Sequence, residues 1–131
     1  NESTNEKIFL AQSEVISDIA KSGESCVIVG RLADYVLRDY DNVLKVFVYA
    51  PFDYRVKEVM VRYDLTENQA ERVVRRVDKE RRNYYQYFSD ENWDRKEGKD
   101  IVFDSSQLGV SGSVEVLKTL VYQRYGKEAF E

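Results

Sequence analysis

The sequence predicts an α/β fold, a parallel β-sheet with helices on both faces. Three observations carry this. Short apolar runs without polar alternation stand at 26–29, 44–50 and 100–104, the pattern of strands covered on both sides. Segments of helical period separate and flank those runs. The resulting order is helix, strand, helix, strand, two helices, strand, helix, which calls for parallel strands joined by right-handed crossovers.

Each element has its own warrant. Ser3-Thr4-Asn5-Glu6 has the form of a capping box. Behind it Ile8, Phe9, Val15, Ile16, Ile19 and Ala20 recur at helical spacing, and Gly23 stands where a stop belongs, so the first helix is read over 5–21. Cys26-Val27-Ile28-Val29, closed by Gly30, is the first strand candidate. A short helical stretch covers 32–38. The β-rich run at 45–49 follows, and Pro51, the single proline, opens a helix through Val56, Val59, Met60 and Tyr63. Thr66-Glu67-Asn68-Gln69 is a second capping box. It starts the longest periodic segment, with Ala70, Val73, Val74, Val77, Tyr84, Tyr85 and Phe88 along one face. The stretch 89–99 is polar and anchored by Trp93. The run at 100–104 is the third strand, and a last helix covers 113–125. Residues 1–131 read as one α/β domain, with a helical lid at 63–95 inside it. The first half of the long helix offers only small or β-branched side chains. It is therefore expected to bury little, and the part 63–76 to be more mobile or more exposed than 84–88.

Composition narrows the chemistry. The 131 residues are 43% hydrophobic and 34% charged, with a net charge of −4, which is globular and argues against a uniformly basic nucleic-acid binder. Histidine is absent and Cys26 is the only cysteine. Ser-His and Cys-His nucleophile pairs, an intramolecular disulfide and cysteine-cluster zinc sites are thereby removed. No apolar run approaches the roughly 18 residues of a membrane span, so a cytoplasmic location is expected. The chain opens at Asn1 without methionine, and a segment upstream is expected.

Ligands of such folds bind beyond the carboxyl ends of the strands. Gly30-Arg31 follows the first strand, with Asp34 close behind. Glycine allows the sharp turn, and the guanidinium fork suits phosphate or carboxylate; a turn glycine with a surface arginine paired to Asp34 or Asp39 fits equally. Arg55 lies one turn into the helix after the second strand, where it is either ligand-facing or solvated. Between Arg72 and Arg82 stand six basic residues, Arg72, Arg75, Arg76, Lys79, Arg81 and Arg82, against Asp78 and Glu80. Such a run grips a polyanion or forms a salt-bridged solvated face. Asp78 lies three residues before Arg81 and four before Arg82, so helical spacing lets it hold either one. A non-catalytic module that binds RNA or an acidic partner through 72–82 is the alternative reading. No Gly-x-x-x-x-Gly-Lys-Ser/Thr and no Gly-x-Gly-x-x-Gly occurs.

The segments 27–35, 46–55, 77–85 and 104–109 together resemble the cytidylate kinase-like family, a bacterial branch of the P-loop nucleoside monophosphate kinases. The resemblance runs over 5–121. It implies a five-stranded parallel sheet whose last three strands are those read above, with an N-terminal strand and phosphate loop upstream of Asn1. In that fold the first strand lies between the third and fourth. Either further chain fills the slot between 26–29 and 45–49, or those two runs pair directly. The implied activity is phosphoryl transfer from ATP, with Mg²⁺, to a nucleoside monophosphate. Arg31, with Asp34 beside it, and Arg55 would bind the acceptor. Leu32 stands where the true cytidylate kinases carry an aspartate, which leaves the acceptor base open. Asp78 and Arg81 match the Asp-x-x-Arg of the lid and would act in catalysis. Arg75, Arg82 and Ser105 would assist on the ATP side. Metal ligands within the chain are not expected. Arg31, Arg55 and Arg81 are expected to converge on one concave site.

Overall fold

The computed structural model describes residues 3–130. Helix α1 (Thr4–Ser22) starts at the expected box: the Glu6 N–H donates to Ser3 Oγ at 3.2 Å and the Ser3 N–H to Glu6 Oε2 at 3.3 Å. It ends on Gly23, whose φ of 77° is the left-handed geometry that closes a helix. After an extended segment come the short helix α2 (Ala33–Val36), strand β1 (Val46–Tyr49) and helix α3 (Phe52–Tyr63). Helix α4 (Glu67–Ser89) opens on the second box, Thr66 with Gln69. Strand β2 (Ile101–Asp104), a 3₁₀ turn (Ser105–Gln107), helix α5 (Gly109–Tyr125) and a second 3₁₀ turn (Lys127–Phe130) complete the chain. Helix α5 starts four residues ahead of the predicted Ser113, which is buried instead.

The α/β class is as predicted. β1 and β2 pair in parallel, Val46 opposite Ile101 through Tyr49 opposite Asp104. A parallel pair needs a long crossover, and α3 and α4 provide it.

The expected strand at 26–29 does not form: among the described residues the sheet has two strands, β1 and β2. Val27 is 91% and Val29 85% exposed. An apolar run becomes a strand only when a neighbour takes up its N–H and C=O groups. No described residue does so here, and direct pairing of 26–29 with β1 is absent too.

A second expectation is half met: residues 63–76 are mostly exposed, more so than 84–88, but that part packs firmly. The first half of α4 was expected to hold weakly, yet Ala70, fully buried, and Val74 form the buried cluster of the protein with Val56 of α3, and Phe52, Val59, Met60 and Leu65 pack around it. Small and β-branched side chains bury little area each, but they let two helix backbones approach closely, so the larger α3 residues complete the contact. Further along α4, Tyr85 is buried whereas Tyr87 is 67% exposed. Phe88 stacks on Phe9 of α1 at 4.3 Å, and Tyr87 donates to Glu6 at 2.6 Å. Helix α4 therefore touches α3 with its first half and α1 with its last turns.

Candidate active site

Arg55 stands where the parallel strands end. Ala50 and Pro51 leave β1, Pro51 caps α3, and the Arg55 N–H donates to the Pro51 carbonyl at 3.1 Å. The side chain folds back on the strand end: Nε donates to the Ala50 carbonyl at 2.9 Å. Nη1 donates to both carboxylate oxygens of Asp78 at 2.9 Å each. The Asp78 side chain is 9% exposed and that of Arg55 34%. The α3–α4 contact carries Asp78 to this point, since Ala70, Val74 and Asp78 succeed each other at four-residue intervals along one buried stripe of α4. Asp78 thus holds Arg55, not the Arg81 or Arg82 that spacing within its own helix allowed. A buried carboxylate is matched by the cation presented across the helix interface, whereas Arg82 lies over the Trp93 ring and Arg81 is exposed.

Arg31 sits in a left-handed turn. Gly30, Arg31 and Leu32 have φ of 68°, 59° and 54° in succession, and the Ala33 N–H closes the turn on the Gly30 carbonyl at 3.1 Å. Two of the three are non-glycine, each strained by roughly 1–2 kcal/mol. Leu32 is 5% exposed and anchors the turn inward, which leaves Arg31 outside. Arg31 lines an open cavity of about 320 Å³ with Ala11, Gln12, Val15, Ile16 and Ile28. Arg55 and Arg81 do not line it.

Asp34 turns the other way. Its Oδ2 accepts from the Tyr85 hydroxyl at 2.9 Å and from Lys99 Nζ at 2.9 Å. Burial, then the Asp34 charge and hydrogen bond, push the Tyr85 phenol well above the usual tyrosine range. Arg81 is exposed and makes no ion pair or hydrogen bond among the described residues. Arg75 stacks on the Phe52 ring at 4.5 Å, and Arg82 lies over Trp93 at 5.9 Å. Ser105 Oγ donates to the Tyr49 carbonyl at 3.3 Å. Beside it the Ser106 hydroxyl holds the Asp104 carboxyl below the usual carboxylate range, at 2.7 Å.

The structure therefore joins Arg55 to Asp78 and sets Ser105 near the same strand ends, while Arg31 and Asp34 flank their own turn. Sequence reasoning missed Lys99, one of many charges in a polar stretch, and treated Tyr85 as apolar filling. It also missed Phe52 as the platform under Arg75; an arginine one turn from the helix partner of an aromatic carries no sequence signal.

A family model described as the cytidylate kinase-like family matches residues 1–107. The chain belongs to the cytidylate kinase-like family. A cytidylate kinase of Methanosarcina barkeri is 28% identical over 123 residues, which span 92% of this chain and 68% of that protein. The crystal structure of an uncharacterized protein from Eubacterium ventriosum superposes with a TM-score of 0.85 at 25% identity, over 92% of this chain and 68% of the other. Family membership agrees with the resemblance carried by the four sequence segments. Among the described residues no helix is long and apolar enough to cross a membrane.

Proposed function

We propose that this chain forms the acceptor side of an enzyme that transfers a phosphoryl group from ATP to a nucleoside monophosphate. The observation that carries the reading is Arg55, a cation tied to the strand-end carbonyl of Ala50 and to buried Asp78, in a chain of the cytidylate kinase-like family. Phosphoryl transfer asks the protein for alignment and positive charge more than for covalent chemistry. A chain without histidine and with Arg55 at the end of the parallel strands meets that demand.

Arg31 and Arg55 bind the acceptor phosphate in this reading. Asp78 fixes the Arg55 guanidinium through Nη1, which leaves Nη2 for the substrate, and the cation costs little to organise once substrate arrives. Arg81, free of internal partners among the described residues, answers the charge that develops on the transferring group when the lid segment 63–95 closes. Arg75 and Arg82, steadied on Phe52 and Trp93, and Ser105 lie toward the ATP. Among the described residues no group of three or more His, Cys, Asp or Glu side chains could hold a metal, and the sequence has no glycine-rich phosphate loop. ATP and Mg²⁺ therefore enter the reading through the family, and no step here runs through them.

The test is a screen of the full-length protein with ATP against the common nucleoside monophosphates, followed by ADP release. ADP formation that depends on one monophosphate establishes the reading and names the acceptor. A folded protein that forms no monophosphate-dependent ADP with any of them refutes it.

A further inference from the structure

Asp34, Tyr85 and Lys99 form a cluster that the acceptor site does not absorb. The Lys99 side chain is 7% exposed, Tyr85 is 7% exposed, and Lys99 Nζ lies 5.5 Å from the Tyr85 ring centre. Both donors converge on one oxygen, Asp34 Oδ2. A buried lysine is costly unless it is paired, so this arrangement is fixed. Its three members come from three places. Asp34 lies in α2, three residues after Arg31. Tyr85 is on α4. Lys99 directly precedes β2, where the Asp100 N–H donates to the Lys45 carbonyl at 2.8 Å.

The cluster also stands beside a strained backbone. The left-handed run at 30–32 persists only where surrounding structure over-determines it. Leu32 supplies an apolar anchor on one side, and Asp34 is the polar anchor on the other. Tyr85 lies seven residues after Asp78, two turns further along the same buried stripe of α4. One helix thus fixes Arg55 through Asp78 and reaches the Arg31 turn through Tyr85.

We infer that Tyr85 and Lys99 are positioning residues, which hold Asp34 and so lock the turn that presents Arg31 in register with Arg55. The inference rests on the acceptor-phosphate reading above for its catalytic consequence, though not for the lock itself. Asp34 then acts by orienting the turn, with Tyr85 and Lys99 as its partners.

The experiment compares full-length wild type with Tyr85→Phe, which removes only the hydroxyl, and with Asp34→Asn, which keeps the size and removes the charge. Two quantities are read: exchange of the Ala33 amide by NMR, and the acceptor KM against kcat. Loss of a hydrogen bond to a charged group is expected to speed Ala33 exchange about ten-fold or more, with α3 and α4 amides still protected. The acceptor KM rises by about the same factor, with kcat changed by less than about two-fold. Unchanged Ala33 exchange in both variants overturns the lock. Faster exchange with an unchanged acceptor KM, where Arg31→Ala does raise that KM, overturns the positioning role. If Arg31→Ala itself leaves the KM unchanged, the acceptor-phosphate reading falls, and the exchange result alone upholds or overturns the lock.

Discussion

Removing either member of the Arg55–Asp78 pair destabilises the protein, and the two removals are unequal. Asp78 is the more buried partner, 9% against 34% exposed at the side chain. Asp78→Ala deletes the carboxylate and leaves a guanidinium that is one-third open to water and still bonded to the Ala50 carbonyl. The loss is one charge-assisted interaction, about 2 kcal/mol. Arg55→Met leaves a carboxylate buried without its cation, and it strips the Ala50 carbonyl of its donor as well. That change costs about 3–5 kcal/mol, the range for breaking a buried pair by removal of one partner. The double variant Arg55→Met with Asp78→Leu removes both charges and restores apolar packing between α3 and α4. It recovers most of the Arg55→Met loss. Urea unfolding measures all three, with an unchanged m-value as the condition for comparing midpoints. Equal losses in the two single variants, or a double variant as unstable as their sum, would refute the burial asymmetry on which these magnitudes rest.

Other substitutions separate packing from chemistry. Ala70→Leu overfills the α3–α4 contact, where Ala70 is fully buried, and is expected to lower stability by about 1–3 kcal/mol in the same urea assay. The Tyr85 phenol, raised by burial and by Asp34, is expected to stay protonated through the range where ordinary tyrosines ionise; difference absorbance between wild type and Tyr85→Phe during an alkaline titration reads it. Its folded value lies above its unfolded value of about 10, so its contribution to stability is complete below that pH and is lost as pH rises from there toward the folded value. Arg81→Ala leaves stability within about 0.5 kcal/mol, because the side chain is exposed and unpaired, yet lowers kcat far more than it raises acceptor KM. Arg72→Ala is the control for charge alone, and an unchanged kcat in Arg81→Ala would reduce that arginine to a solvated helix residue.

Helix starts were legible because they are local: Ser3 with Glu6 and Thr66 with Gln69 close their hydrogen bonds within four residues. The runs at 45–49 and 100–104 were legible as strands because each finds the other. The run at 26–29 is also apolar but has no partner among the described residues, since apolar content reports what a segment can bury and not what lies beside it. The partner of Asp78 was hidden for a related reason. Spacing within α4 offers Arg81 and Arg82, whereas the choice of Arg55 is made by how α3 packs on α4. Asp34 and Tyr85 are 51 residues apart in sequence, and neither side chain announces the other.

The central claim is that Arg31 and Arg55 bind the phosphate of a nucleoside monophosphate. The direct measurement is calorimetric titration of the full-length protein and of Arg31→Ala with the preferred nucleoside monophosphate, and separately with the same nucleoside lacking its phosphate. Loss of a charge-assisted contact to phosphate is expected to weaken monophosphate binding by about ten-fold or more, while nucleoside binding stays as in wild type. Equal affinities of wild type and variant for the monophosphate, or an equal weakening for both ligands, would contradict the account.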